Sequence, residues 1–577
     1  MSSKHKVRKI KKLAIERRDD FMVDDEKTDI FVIPYPIVLL IASVLLIYFK
    51  CFSFGVTELD DTIFIRDFHE YNENLSNLWM SFQRGLFDAV KDPYYRPLFM
   101  DSMILNHWIS NHGQNIAIYH IINVLLHCLN VVLLYKLFLK LKVTIEFSFI
   151  LSIIFAVHPV LTQAVAWIPG RNDTILATFV ILFLIQAIKY TNSGKLIDYC
   201  LSLMCLLLAF FTKETAVFAA PAAFMLLVVF LKNKIVSKPL LLQYLGWLFC
   251  FALWYIARSK ATVQLNLNFS QFAGDFLHRL PLVVQYLGKI VLPVNLSVFP
   301  MQDETVYYYG ILAVICFAVL LYMSKNRDLG RVIAGFSIFF LFLLPALIVP
   351  TSLNEQTFEH RLYLPLIGIL LVVPETFLFS SKFSVGQIII YSLITAALLA
   401  ITTINHENNF KDPLSFWTQA VETSPRSSFA NMHLSEYEDD LDKKCALIRK
   451  AYQLNKKEKY INFFYAEMLI NTNKKDSIIA AEPYLTEEKK ISNFHKCDFY
   501  LGRVAVEKGD LYAGIEHLLD FLKTEPGASK EGGEANNNLL VLYINTHQAD
   551  KVVEQVKKMK QLGLNVPPEV YQMYHLN

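Results

Sequence analysis

The stretch IFVIPYPIVLLIASVLLIYFKCFSFGVTELDD, residues 30–61, joins an apolar run to a pair of aspartates. Residues 30–49 are long enough to cross a bilayer, because about 20 apolar residues span the hydrocarbon core as a helix. The tail before this run, residues 1–29, is basic, and basic segments stay on the cytoplasmic side. Asp60 and Asp61 are therefore predicted to lie just beyond the opposite membrane face, where they could carry a proton, hold a metal or cap a helix.

The composition over most of the chain is that of a membrane protein. Of the 577 residues, 54% are hydrophobic, and the 44 Phe and 28 Tyr suit interfacial aromatic belts. The net charge of +3 implies no nucleic-acid partner, so the basic tail is interpreted as a topology signal. The first apolar run is too long for a cleavable signal peptide. The 8 Cys include no Cys-x-x-Cys pair, which supports neither a disulfide scaffold nor a zinc site.

Charge decides how many apolar runs are predicted to cross the membrane. Residues 276–294 could span, but they carry three basic or titratable side chains and a proline. If this run is a re-entrant or interfacial helix, eleven spans remain and every predicted cytoplasmic loop is basic, as the positive-inside rule requires. The C-terminus then lies on the same side as Asp60. The predicted spans are residues 30–49, 116–137, 147–165, 175–188, 197–211, 216–231, 239–257, 307–323, 332–349, 362–379 and 385–404.

Two stretches outside the spans are also predicted to be helical. Residues 55–115 form the first outer loop, where apolar residues at helical spacing predict one or two helices on the membrane surface. Residues 405–577 are polar and are predicted to form a repeat domain on the non-cytoplasmic side. The spacing from Gly502 to Pro526 fits the tetratricopeptide repeat, and roughly three degenerate helical hairpins are expected. A generic helical bundle is the alternative, whereas a repeat stack would present a concave peptide-binding face.

Four clusters of polar residues lie near the ends of predicted spans, all on the face that carries the acidic pair. Polar side chains at membrane depth are costly, which makes them candidates for function. Each cluster alone could be an interfacial ion pair or a snorkelling side chain. Together, a carboxylate pair and several cations fit chemistry on a lipid-linked phosphate, in which cations stabilise the leaving phosphate and a carboxylate takes a proton. The clusters are Asp60 and Asp61 with Arg96; His158 and Pro159 with Thr162, Gln163, Trp167 and residues 170–173; Lys213 with Glu214; and Glu359 with His360 and Arg361.

Eight short stretches carry a resemblance to one class of membrane enzyme. They are DD at 60–61, YRPL at 95–98, YHIINVLLH at 119–127, FAVHPV at 155–160, AVAW at 164–167, GR at 170–171, KE at 213–214 and EHRLYLP at 359–365. In this order they resemble the GT-C membrane glycosyltransferases, and within them the transmembrane and tetratricopeptide-repeat O-mannosyltransferases and their bacterial relatives. Two departures are Gln163, where the family usually has Glu, and the short repeat array. The resemblance implies an all-α protein with a polytopic GT-C-type domain over residues 30–404, about 11 transmembrane helices, and tetratricopeptide-like repeats after it.

The resemblance also implies an inverting transfer of a sugar from a polyprenyl-phosphate donor to a Ser or Thr hydroxyl of a protein. Asp60 would be the general base, and Asp61 would position it or the acceptor. The residues implied for the leaving phosphate are Arg171, Lys213 and Arg361, followed by Arg96 and His158, and those in supporting positions are Glu214, Glu359, His360 and Trp167. No metal site is predicted, although a divalent ion held by the two aspartates remains an alternative. The apolar spans would hold the polyprenyl tail.

The expected ligands are a lipid-linked sugar and protein or peptide acceptors, and the repeats could also recruit membrane or secretion-machinery partners. Mannose as the sugar comes only by analogy. The short repeat array favours a bacterial inner membrane with the site and repeats in the periplasm, and the alternative is an endoplasmic-reticulum membrane with both in the lumen. Two other functions remain open: a lipid-linked glycan polymerase, ligase or flippase, and a non-catalytic scaffold.

Overall fold

The computed structural model is predominantly helical over the residues that it describes, which are 33–87, 92–263, 269–349, 355–380, 382–525 and 527–575. The predicted basic tail, residues 1–29, lies outside these residues. Within the described ranges there is no β-strand, and a lone β-bridge joins Met301 to Gln356. The prediction of an all-α fold is confirmed. The chain separates into two compact units, Met1–Thr423 and Ser424–Asn577.

The first unit is built from apolar helices that short 3₁₀ and π turns join or extend. Residues 55–115, which we call the outer segment, contain α2 (Asp60–Thr62), α3 (His69–Glu73), α4 (Asn77–Met80) and α5 (Pro97–Ile109). The other helices are α1 (Pro36–Ile47), α6 (Ile116–Lys140), α7 (Ile145–Val157), α8 (Thr162–Ala166), α9 (Arg171–Ser193), α10 (Leu196–Thr212), α11 (Ala219–Phe224), α12 (Lys238–Ala261), α13 (Phe269–Arg279), α14 (Leu282–Val291), α15 (Tyr308–Met323), α16 (Leu329–Ile348), α17 (Pro365–Val372), α18 (Val385–Glu407) and α19 (Pro413–Thr423).

Several of these helices are suited to cross a membrane. In the described part of the chain, five helical stretches are long and apolar enough: Ile116–Lys140, Ile168–Ser193, Lys238–Ala261, Leu329–Ile348 and Val385–Phe410. The pair Ile145–Val157 and Pro159–Ala166, which meet at a bend of 53°, supplies a sixth if it is one span. The other predicted spans coincide with the shorter apolar helices Pro36–Ile47, Leu196–Thr212, Glu214–Phe230, Tyr308–Met323 and Pro365–Glu375. The protein is therefore a multi-pass membrane protein, and the count of eleven spans stays a prediction.

Two sharp turns precede α9. Pro159 has no backbone N–H and disfavours helical geometry at the residue before it, so α7 ends at Val157. The chain turns again at Gly170, where a Cβ would lie 2.5 Å from the carbonyl oxygen of Gln163. Only glycine tolerates this close approach, and α9 starts directly after it. The two turns thus set the position of the first turn of α9, which contributes to the site described below.

The outer segment, residues 55–115, folds around a small apolar core of its own. The sequence predicts one or two surface helices here, whereas the structure divides the segment into four short helices and a π turn at Ile63–Asp67. The turns between them let apolar side chains from α5 and from the π turn meet. Buried members of this core are Phe64, Ile65, Leu86, Phe99, Met100 and Met103. This packing fixes α2 and α3 relative to α5.

Residues 276–294, predicted to be re-entrant or interfacial, contain a break. Helix α13 ends at Arg279 and α14 begins at Leu282, with Pro281 between them. At 11 and 10 residues, each helix is shorter than the roughly 20 residues that a bilayer-spanning helix needs. These lengths agree with the interpretation that the stretch does not cross the membrane.

The second unit is a series of helical hairpins. In its described residues, α20 pairs with α21, α22 with α23 and α24, α25 with α26, and α27 with α28. The hairpin expected from the sequence is present, because Gly502 and Gly514 face each other across α25 and α26, and a Cβ on Gly514 would lie 3.4 Å from the carbonyl oxygen of Gly502. The helices are α20 (Ser428–Glu436), α21 (Leu441–Leu454), α22 (Ile461–Ile470), α23 (Lys475–Ala480), α24 (Glu482–Ser492), α25 (Lys496–Lys508), α26 (Leu511–Phe521), α27 (Lys530–Asn545), α28 (Ala549–Gln561) and α29 (Pro568–Met573).

The boundary between the units differs from the predicted one at residue 405. That position lies inside α18, because the helix continues to Glu407 after the apolar composition has ended. Helix α19 also belongs to the first unit. The change in composition therefore marks the end of the apolar run, and the compact units divide after Thr423.

Candidate active site

The turn before α2 is organised by Asp61. Its buried carboxylate accepts hydrogen bonds from the backbone N–H groups of Thr57 (2.5 Å) and Leu59 (3.0 Å), and from the Thr57 hydroxyl (3.1 Å). Between these two residues, Glu58 has a φ of 56°, an uncommon conformation for a residue with a side chain. Because its oxygens are engaged within the turn, Asp61 acts on the position of α2, as the resemblance implies for a positioning residue.

Asp60, the first residue of α2, has a different environment. Its carboxylate is half-buried and makes no hydrogen bond or ion pair with the described residues. Burial raises the pKa of Asp60 to about 6, the negative charge of Asp61 adds to the rise, and Arg96 opposes it. The carboxylate is therefore mostly ionised at neutral pH but is a stronger base than an ordinary aspartate. These are the properties that a general base needs near neutral pH.

Arg96 precedes α5 and is held by two other elements. Its Nε donates to Oε2 of Glu214 (3.1 Å), while Oε1 of Glu214 accepts from the backbone N–H of Tyr95 (3.0 Å). With the Asn172 amide oriented to satisfy both of its neighbours, Nη1 of Arg96 donates to the amide oxygen at 2.7 Å. These contacts fix the guanidinium within electrostatic reach of Asp60.

A second buried ion pair accompanies Arg96. Lys213, which follows α10, donates from Nζ to both carboxylate oxygens of Asp173, at 2.7 and 2.8 Å. Nε2 of His360 lies 4.0 Å from the same carboxylate. Burial lowers the pKa of Lys213, Asp173 opposes this shift, and Arg96 and Arg361 add to it. The three cations therefore lie within electrostatic reach of one another.

His360 is packed between aromatic rings. The ring centroid lies 5.7 Å from that of Trp167 and 5.2 Å from that of Phe358. Its backbone N–H donates to Oε1 of Gln163 at 3.1 Å, and its Nδ1 lies 3.1 Å from the same oxygen. Trp167 and Gln163 thus hold His360 in place, and the supporting role expected for Trp167 stays a prediction.

The charges around His360 identify a region of positive potential. Burial lowers the pKa of His360 well below its usual value, and the charges of Lys213, Arg361 and Arg96 lower it further. Arg361 itself donates from Nη1 to the carbonyl oxygen of Gln356 at 3.0 Å and remains partly exposed. We call Arg96, Lys213 and Arg361 the cation group. Such a group is suited to bind an anion such as a phosphate.

Arg171 lies outside the cation group. Its side chain is 0% exposed, its Nε donates to Oδ1 of Asn123 (2.6 Å), and its Nη2 donates to the carbonyl oxygen of Tyr119 (2.7 Å). Its Nη1 donates to the carbonyl oxygen of Ser102 at 3.5 Å. The guanidinium therefore ties α5, α6 and α9 together. These contacts give Arg171 a structural role, and its expected role at the leaving phosphate stays a prediction.

The variant Arg171→Met is expected to lose stability rather than donor binding alone. It would leave Oδ1 of Asn123 buried without the donor that it has in the wild type, at a cost of about 1–3 kcal/mol, and would remove the links to the carbonyl oxygens of Tyr119 and Ser102. Thermal unfolding of the purified protein in detergent measures the loss. The control is Arg66→Met, whose side chain is 67% exposed and which should unfold like the wild type. Unchanged stability with lost donor affinity would place Arg171 back at the phosphate.

His158 and Glu359 are likewise engaged away from the cation group. Nε2 of His158 lies 2.9 Å from the carbonyl oxygen of Ile290, and its Nδ1 accepts from the backbone N–H of Val160 (3.4 Å). Glu359 accepts from Nζ of Lys289 at 2.6 Å. Since Ile290 and Lys289 are both in α14, these two side chains fasten α14 to its neighbours.

Sequence reasoning assigns no role to two residues that the structure places in the site. Asp173 fixes Lys213, and Gln163 fixes His360. The available signal for Asp173 is its place in the first turn of a helix, three residues after a glycine turn, where a carboxylate can face a neighbouring helix end. For Gln163, the signals are its place in the second polar cluster and its departure from the family pattern.

The fold and the site define a class of protein: an all-α, multi-pass membrane protein in which Asp60 makes no hydrogen bond or ion pair with the described residues and the three members of the cation group lie at helix ends. No protein-family profile matches the chain. Its sequence is similar to that of curated proteins named as protein O-mannosyl-transferases, and the resemblance predicted from the motifs is confirmed.

Three of these relatives show the extent of the similarity. The chain is 38% identical over 111 residues to Protein O-mannosyl-transferase TMTC1 of Mus musculus, over 19% of the chain and 11% of that protein. It is 40% identical over 100 residues to Protein O-mannosyl-transferase TMTC2 of Homo sapiens, over 17% of the chain and 12% of that protein. It is 24% identical over 377 residues to Protein O-mannosyl-transferase F38B6.6 of Caenorhabditis elegans, over 61% of the chain and 52% of that protein. The matches thus span about a tenth of each mammalian protein and about half of the worm protein.

Proposed function

We propose that this protein is a membrane glycosyltransferase that moves a sugar from a polyprenyl-phosphate donor to Ser or Thr hydroxyls of proteins. The observation that carries the proposal is that Asp60, which makes no hydrogen bond or ion pair with the described residues, lies within electrostatic reach of Arg96, a member of the cation group. The names of the related proteins support protein O-glycosylation and make mannose the sugar to test first. The apolar helices suit a donor with a polyprenyl tail.

A single displacement accounts for the inverting reaction. The acceptor oxygen attacks the anomeric carbon while the bond between that carbon and the phosphate oxygen breaks. The proton of the acceptor hydroxyl passes to Asp60, and the bonding electrons leave with the polyprenyl phosphate, which gains a negative charge. Asp61 contributes by holding the turn that orients Asp60, since its own oxygens accept hydrogen bonds from the backbone.

The cation group would stabilise the leaving phosphate. Glu214 holds Arg96 and Asp173 holds Lys213, which fixes the positions of these two cations. Arginine stays protonated and can donate two parallel hydrogen bonds to phosphate oxygens. Fixed donors that meet a developing charge in a water-poor site are a large source of rate acceleration.

The repeat unit favours a protein acceptor over a glycan. Stacked helical hairpins present extended surfaces that suit a polypeptide segment, and a glycan polymerase or ligase has no need of one. A non-catalytic scaffold, in turn, would not require a half-buried carboxylate such as Asp60, which makes no hydrogen bond or ion pair with the described residues. We place the reaction on the non-cytoplasmic face of the membrane, because the loops predicted to be cytoplasmic are basic.

Reconstituted transfer tests the proposal. The purified full-length protein in liposomes receives a radiolabelled polyprenyl-phosphate mannose and a Ser- and Thr-rich protein acceptor. Label that is attached to the acceptor and released by β-elimination supports protein O-glycosylation. Label found only in lipid-linked glycans would support the polymerase or ligase instead, and no transfer from a series of polyprenyl-phosphate sugars would refute the enzyme.

The pH dependence of transfer should report the ionisation of Asp60. Its pKa is raised to about 6, so the basic form predominates above that pH and the protonated form below it. We expect kcat/KM to be nearly constant around pH 7 to 8 and to fall by about tenfold per pH unit well below 6. Initial rates at limiting acceptor over this range provide the measurement. A flat profile down to about pH 4.5 would exclude Asp60 as the titrating base.

A further inference from the structure

The outer segment contains a second cluster of titratable side chains. Helix α3 places His69 and Glu73 four residues apart, on one face. His107 lies in the last turn of α5, and His112 lies in the turn that follows this helix. One ligand atom from each of His69, Glu73 and His107 can be chosen so that all three lie within 4.8 Å of one another.

The distances within this cluster are those of a metal site. Oε1 of Glu73 lies 3.1 Å from Nε2 of His107 and 3.6 Å from Nε2 of His69, and Oε2 lies 2.9 Å from Nδ1 of His112. Two ligands that are each about 2.0–2.1 Å from a tetrahedral Zn²⁺ ion are about 3.3 Å apart. These three separations, all to Glu73, lie on either side of this value, and the chosen ring nitrogens of His69 and His107 lie within 4.8 Å of each other, so an ion could enter after movements of the histidine side chains.

The chemistry of the donors selects the metal. Three imidazoles and one carboxylate, without a thiolate, are a ligand set that suits zinc. His107 is 0% exposed, which fixes one ligand rigidly. His69 and His112 are about half exposed, at 51% and 46%, which leaves a path for the ion to enter.

We propose that His69, Glu73, His107 and His112 bind a Zn²⁺ ion that fastens α3 to the end of α5. His107 is eleven residues along the helix from Arg96, about 16 Å at the rise of an α-helix. The ion would therefore be structural and would act at a distance from the cation group. The ion would join α3, which follows Asp60 and α2 in the chain, to α5, which begins directly after Arg96. It would therefore fix the position of these two parts of the outer segment relative to each other. The proposal does not depend on the sugar-transfer reaction.

Metal analysis of matched variants tests the site. The full-length protein is purified with an affinity tag that contains no histidine, stripped with EDTA, loaded with ZnCl₂ and desalted. Mass spectrometry of the metal should find about one zinc per chain in the wild type and in Glu70→Gln, the exposed neighbour on α3. Glu73→Gln and His69→Ala should bind less than about a tenth of that amount. A wild type without zinc, or full occupancy in Glu73→Gln, would overturn the proposal.

Two further measurements separate a built site from weak surface binding. Zn²⁺ should raise the unfolding temperature of the wild type and of Glu70→Gln but not that of Glu73→Gln, because only a ligand that binds the folded state stabilises it. Co²⁺ loaded in place of zinc should give the intense visible absorption of a four-coordinate ion, and His112→Ala should weaken it. Equal shifts of the unfolding temperature in Glu70→Gln and Glu73→Gln would refute the site.

Discussion

Sugar transfer by Asp60→Asn is expected to be at least about 100-fold slower than by the wild type, with donor binding retained. Asn keeps the shape of the side chain but cannot accept the acceptor's proton, and general-base assistance contributes about 10²–10⁴-fold. Because Asp60 makes no hydrogen bond with the described residues, the change removes no contact that holds α2. The value of kcat/KM for a protein acceptor measures the loss, and thermal unfolding verifies that the variant is folded.

Two further variants distinguish a loss of the general base from a loss of structure. Asp67→Asn changes an exposed carboxylate of the same segment, whose nearest cation, Arg66, is 3.8 Å away, and should transfer sugar like the wild type. Asp61→Asn should lower the unfolding temperature together with the activity, because an amide cannot accept from both backbone N–H groups of the turn. Near-wild-type turnover by Asp60→Asn would remove Asp60 from the mechanism.

The place of the site could be predicted because charged residues cannot lie within apolar spans at low cost. Asp60, Lys213 and Arg361 each stand just outside an apolar run, and the charges of the loops put them on one face. In the structure Arg96 lies within electrostatic reach of Asp60 and of Lys213, while the role of these residues in one site stays a prediction. The apolar runs likewise predicted the membrane helices. The helices beside Pro159 and Pro281 are shorter than the runs, because the helical geometry is interrupted at these prolines.

The direction in which a side chain points could not be predicted in the same way. Arg171 and Lys213 both stand at the end of an apolar helix, yet one is buried among carbonyl and amide oxygens and the other joins the cation group. The turn at Gly170 sets the residue at which α9 starts. Since successive side chains of a helix are rotated by about 100°, this starting point decides the direction in which Arg171 points. Likewise, the conformation of Glu58 decides which of two adjacent aspartates is open.

The histidine cluster was missed for a related reason. His107 and Glu73 are 34 residues apart, and neither belongs to a motif with the spacing of a known metal site. The spacing of the cysteines bears only on metal sites that are built from thiolates. Packing of α3 against α5 creates the cluster, and that packing depends on apolar residues elsewhere in the segment.

Lys213→Met is expected to lower kcat/KM by about 100- to 1,000-fold, as when one donor to a developing negative charge is removed. Met keeps the apolar stem of the lysine and removes the charge. The single variant also leaves Asp173 buried without its cation, and an uncompensated buried charge can by itself disturb a site. The double variant Lys213→Met with Asp173→Asn separates the two effects, because it removes both charges.

If Lys213 stabilises the leaving phosphate, the double variant stays as slow as Lys213→Met, since no cation has been restored. If Lys213 only neutralises Asp173, the double variant recovers most of the wild-type rate. The control is Lys232→Met, which breaks an ion pair of similar length, 2.6 Å to Asp328, in a loop predicted to be cytoplasmic, and should leave transfer unchanged. Recovery in the double variant would remove Lys213 from the cation group, and the leaving phosphate would then depend on Arg96 and Arg361.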